Sequence, residues 1–181
     1  TFVCYLKQDI SIGQLSWLVA HEVFHTWLGK KIDVKLEKEA RIYRDHWFTE
    51  GFTDYFASKI RLDAGIINHA QFKDYINELV VNIADNPYSN YTLSELETLA
   101  VSGGYGTAAV KLQYYRGAIM ALNLEAELAE RKSTFTLKDI LNAMLLEAEK
   151  RDDKFSRAEI FTFFKKYDLD LEPLFDSYII Q

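Results

Sequence analysis

The sequence predicts a mainly α-helical domain. Three observations carry that expectation. Apolar residues recur at helical spacing through most of the chain, only two prolines interrupt its 181 residues, and Ser or Asp precedes periodic segments that Gly follows.

Thr1 to Leu6 alternates and is β-branched and aromatic, which predicts a short N-terminal strand remnant. Ser11 is placed to cap a helix running to about Leu28, with an apolar stripe of Leu15, Leu18, Val19, Val23 and Trp27 and with Gly29 as its stop. Lys30 to Arg44 is charged and without clear period, so it reads as a solvated connection with room for a short extended piece. Asp45 is placed to cap a second helix from about His46 to Ala64, ended by Gly65, and a third runs from about His69 to Ile83. The cluster Asn86-Pro87-Tyr88-Ser89-Asn90 is a turn, Thr92 to Leu99 is weakly helical, and Ser102 to Gly106 is a glycine-rich joint. A long helix follows from about Thr107 to Arg131. Thr136 to Lys150, Ser156 to Lys166 and Glu172 to Ile179 complete the set. Trp17, Trp27 and Trp47 read as core. No repeat, low-complexity stretch or linker divides residues 1–181, so they form one domain of a size that buries a sizeable core.

Composition excludes several functions. Apolar residues make up 49% and aromatics 14%, a globular balance. Twenty-one basic against 27 acidic residues leave a net charge of −6 with no basic block, which argues against a nucleic-acid partner. No apolar run approaches the roughly 18 residues of a membrane span. Cys4 is the single cysteine, so no internal disulfide forms. A soluble chain is expected, with cytoplasm and periplasm both open. The chain begins at Thr1 and not Met, and reads as a piece of a longer polypeptide with further domains as its partners.

The chemistry centres on His21-Glu22-Val23-Phe24-His25, an H-E-x-x-H pattern. Residues i and i+4 share one helix face, so both imidazoles reach a single small cation. Glu22 lies roughly 100° around the helix, placed to touch a water beside that cation without competing as a ligand. A catalytic zinc takes three protein ligands and keeps a fourth position open. Glu50, in the aromatic run Trp47 to Phe56, supplies the third, because a carboxylate buried there without a partner would be costly. The 24 residues between His25 and Glu50 suffice to end one helix and begin another. His21, His25 and Glu50 are therefore candidate ligands of one Zn²⁺ per chain, and Glu22 the candidate general base.

These two segments, His21 to Trp27 and Trp47 to Tyr55, resemble the gluzincin metallopeptidases. The likeness is greatest to the glycyl aminopeptidase family, with the alanyl aminopeptidase and leukotriene-hydrolase family a close relative. The run Tyr114-Tyr115-Arg116-Gly117 is similar to the family's tyrosine-x-lysine-glycine helix start, with Arg116 in place of lysine, and Phe155 to Phe175 is similar to its final helices. The resemblance implies a thermolysin-like helical catalytic domain, aminopeptidase action on a peptide or protein substrate, and an oxyanion-stabilising role for Tyr114, with Tyr115 its rival. It also implies an upstream β-rich domain that anchors the substrate amine. Asp54, four residues after Glu50, stands where thermolysin-like enzymes carry an aspartate that holds a ligand histidine.

Two other readings stay open: an endopeptidase of thermolysin type with the same zinc chemistry, and a non-catalytic helical binding module with a vestigial metal site. Gly104 to Ala109 loosely matches a dinucleotide-binding fingerprint, but no βαβ unit surrounds it. His46 and His69 carry no assigned role.

Overall fold

A computed structural model describes residues 9–35, 45–103, 107–151 and 153–180. The fold is mainly α, as expected. The proposed strand Thr1 to Leu6, residues 36–44 of the connection and residues 104–106 of the glycine joint lie outside the described residues.

Helix α1 spans Ile12–Phe24. Ser11 caps it as expected: its hydroxyl accepts from the Gln14 amide while the Gln14 side chain accepts from the Ser11 amide, a capping box. The helix stops about four residues earlier than the pattern suggested. Thr26 and Trp27 donate to carbonyls three residues back, at Val23 and Phe24, and Gly29 turns the chain with φ 95°. The apolar stripe does not turn inward as a whole. Val19, Val23 and Trp27 are 44%, 47% and 43% exposed, and α1 instead turns His21 and Phe24 toward α2, with Phe24 stacked on Phe56 at 5.0 Å. Polar His21 turns inward because it has partners on the neighbouring helix, Glu50 and Asp54.

The connection after Gly29 is less solvated than its charge suggested. Ile32 and Val34 are buried, and Val34 pairs with Phe155 in an isolated parallel bridge.

The second helix differs in kind. Trp47–Phe52 is a π-helix, followed by α2, Thr53–Asp63. Asp45 does not cap it through its side chain: its carboxylate takes two donors from Arg157 at 3.1 and 2.7 Å, while its carbonyl accepts from the Phe48 and Thr49 amides. Gly65, at φ 69°, follows α2 as expected. Helix α3 is His69–Ala84, with Asn68 and Gln71 forming another capping box. Asn86 shapes the next turn by accepting from the Tyr88 amide. Helix α4 is Leu93–Gly103 and α5 is Ala108–Glu130, capped by Thr107. Helices α6 (Leu137–Ala148), α7 (Arg157–Lys165) and α8 (Leu171–Phe175) follow, and α8 passes into a second π-helix, Asp176–Ile180.

Helix α5 is the axis of the domain. It is buried on nearly every side from Ala109 to Ala121, and it packs against the first π-helix, α2, α3, α4, α6 and the second π-helix. Trp47, Phe48 and Phe52 fill the core beside it. Among the described residues no helix is long and apolar enough to cross a membrane.

Candidate metal centre

His21 sits in the last turns of α1 and His25 one residue past its end. Their Nε2 atoms face each other at 3.0 Å. The Glu50 carboxylate reaches both, Oε2 lying 3.5 Å from His21 Nε2 and 3.4 Å from His25 Nε2. One ligand atom from each residue falls within 4.8 Å of the others. The two segments that the spacing singled out thus converge on one point.

The π-helix presents Glu50. Its wide turn is held by threonine hydroxyls: Thr53 donates to the Thr49 carbonyl at 2.6 Å and Thr49 to the Asp45 carbonyl at 3.3 Å. Single π turns recur where a helix must aim a functional side chain. Close packing behind Glu50 depends on Gly51, which faces Gly117 of α5.

The other ring nitrogens are also engaged. His21 Nδ1 donates to Asp54 Oδ1 at 2.8 Å, and His25 Nδ1 donates to the Leu28 carbonyl at 3.0 Å. The tautomers follow from the acceptors: a proton on each Nδ1 leaves each neutral Nε2 as a lone pair. Two lone pairs and a carboxylate oxygen then converge with no donor among them, an arrangement that repels unless a proton or a cation lies between. A proton on an imidazole meets that need. Burial disfavours charge on His21, but the Asp54 and Glu50 carboxylates outweigh it and raise its pKa to about 9. His25 is raised as well, by Glu50 against burial. Burial would lift Glu50, yet the two imidazoles bring it down to about 2. Asp54, the most deeply buried of the set, is lifted by burial against the pull of His21. Two imidazole nitrogens and one carboxylate oxygen, each oriented by a further hydrogen bond or by packing, are the donor set zinc takes.

Two clefts flank this cluster. One, of about 320 Å³, is lined by Glu22, His25, His46 and Glu50 together with Asp33 and Asp45. Glu22 therefore opens onto the same space as two of the converging residues. The other, of about 690 Å³, is lined by Trp17, Asp54, Tyr75, Tyr114 and Tyr115. Trp17 is no core residue; its ring lies 5.0 Å from that of His21. Trp27 is exposed, and Trp47 alone of the three tryptophans is fully buried. Tyr114 and Tyr115 both border the second cleft, with Asp54. Arg116 points elsewhere, donating to the Ser89 and Tyr91 carbonyls at 2.7 and 3.4 Å. Two features escaped sequence reasoning: the Gly51–Gly117 contact, whose signal was a glycine in each motif, and the contact of His46 with Tyr114, which no local pattern announces.

Helical layers bring two imidazoles and a carboxylate to one point, a donor set of the class that holds a metal ion. The chain belongs to the M61 glycyl aminopeptidase family, whose model matches residues 14–120, more than half of the chain, from inside α1 to Met120 of α5. The fold is also similar to a solved aminopeptidase N family protein from Idiomarina loihiensis, with a TM-score of 0.73 at 19% identity over 98% of this chain. The chain spans 33% of that protein's length. No curated protein matches the chain.

Proposed function

We propose that the chain is the catalytic domain of a zinc-dependent peptidase, acting as an aminopeptidase within a longer polypeptide. The observation that carries the reading is the convergence of His21, His25 and Glu50 within 4.8 Å, with both histidine tautomers fixed from behind. One Zn²⁺ per chain would be held by His21 Nε2, His25 Nε2 and the Glu50 carboxylate. Such an ion acts as a Lewis acid that makes water acidic near neutral pH and polarises a carbonyl. Glu22, one residue from His21 and facing the smaller cleft, takes the proton from the attacking water and returns it to the leaving amine. Tyr114, at the edge of the larger cleft, donates its phenol hydrogen to the oxyanion that develops on the scissile carbonyl. Asp54 and the Leu28 carbonyl keep the two rings from rotating away. The family supports peptide hydrolysis, and the length of the solved relative supports further domains in the same polypeptide.

The test pairs metal analysis with activity. The purified chain should carry one zinc, and Glu50→Ala should lose it. The intact polypeptide should release the first residue of a peptide with a free amino terminus and spare its acetylated form. Cleavage of the acetylated peptide would favour the endopeptidase instead, and absence of zinc after reconstitution at neutral pH would favour a non-catalytic module.

A further inference from the structure

We infer that His46 is a positioning residue for Tyr114, fixing the plane of the phenol across the site. His46 is buried at the start of the first π-helix, four residues before Glu50. Its ring meets that of Tyr114 edge-on, with centroids 5.5 Å apart and planes at 80°. The two rings face different spaces: His46 lines the smaller cleft with Glu22, His25 and Glu50, and Tyr114 lines the larger one with Asp54 and Trp17. Together they form a wall shared by both clefts.

Tyr114 packs on Val110 in a small cluster apart from the main core, whereas its neighbour Tyr115 packs against the main core itself. A perpendicular aromatic contact restricts rotation of both rings, and a phenol that donates to a developing oxyanion contributes most when its direction is set beforehand. That contact requires only an aromatic ring at position 46. The inference rests on the role proposed above for Tyr114.

The experiment uses the zinc-loaded intact polypeptide with H46A, H46F, Y114F and H46A/Y114F. It reads kcat, KM, metal content and the Ki of a phosphinic dipeptide that mimics the tetrahedral state. H46A should lower kcat and weaken the inhibitor by about ten- to a hundredfold, with KM nearly unchanged and one zinc retained. H46F, which keeps an aromatic ring in place, should stay close to wild type. H46A should add little in the Y114F background, because both changes remove one function. H46L, which keeps volume without an aromatic edge, replaces H46A if that variant does not fold. Wild-type kcat in H46A, an H46F defect as large as that of H46A, a fall in zinc content, or additive losses in the double variant would each overturn the inference. Wild-type activity in Y114F would overturn the proposed role of Tyr114 itself, and the inference with it.

Discussion

Gly51 and Gly117 meet back to back. A Cβ built on Gly51 would lie 2.6 Å from the Gly117 Cα, and one built on Gly117 would lie 1.9 Å from the Trp47 carbonyl oxygen. The π-helix that carries Glu50 and the helix that carries Tyr114 therefore cross with backbone against backbone. Since neither neighbour is a flexible side chain, added volume has nowhere to go. Gly117→Ala should cost about 3 kcal/mol or more in urea unfolding, and zinc binding should fall with it. Gly13→Ala is the control: in α1 its Cβ would meet only the Ser11 hydroxyl at 3.8 Å, so about 0.5 kcal/mol of stabilisation is expected. Equal effects at the two positions would refute the close crossing.

Asp54 should matter for metal affinity although it is not proposed as a ligand. It fixes the His21 tautomer through the 2.8 Å bond to Nδ1. Asp54→Ala should weaken zinc binding by about 10- to 100-fold, measured against a chromophoric chelator. Unchanged affinity would mean that His21 is held by packing alone.

Glu22→Gln separates the base from the ligands. Zinc content should stay at one per chain while kcat falls by about 10²- to 10⁴-fold. A parallel loss of zinc would move Glu22 into the ligand set.

Zinc affinity should rise with pH. Against burial, Asp54 and Glu50 raise the His21 pKa to about 9, so below that value metal and proton compete for the same lone pair. Between pH 6 and 9 the apparent affinity should increase about tenfold per unit for each proton displaced. Chelator competition at several pH values checks this, and a flat profile would exclude His21 as a ligand.

The cap of α7 sets part of the acid stability. Glu159 is brought down to about 2 by the Ser156 amide, Arg151 and the Ser156 hydroxyl. In the unfolded chain it titrates near ~4.3. Its contribution is thus fully present above that pH and is lost as pH falls toward about 2. Glu159→Gln should lower Tm at neutral pH and flatten the decline in stability between those limits. An unchanged acid limb in thermal melts at stepped pH would count against the cap.

The sequence by itself determined what depends on near neighbours. Ser11, Asn68, Thr136 and Ser156 cap helices because the residue three places on can answer them, and His21 and His25 share a face because four residues make about one turn. Glu50 was legible because a carboxylate in an aromatic run needs a partner. What the tertiary structure decided depends on residues far apart in the chain. Asp45 turned from capping to Arg157, 112 positions away, where its buried carboxylate gains an ion pair with two hydrogen bonds. Val19 and Val23 of α1 face outward while Asp54 and Glu50 draw the imidazole face inward. The π-helix, the Gly51–Gly117 crossing and the His46–Tyr114 contact follow from how closely two helices pack. No spacing along one helix encodes that distance, because it is set by the side chains that both helices lack at the crossing.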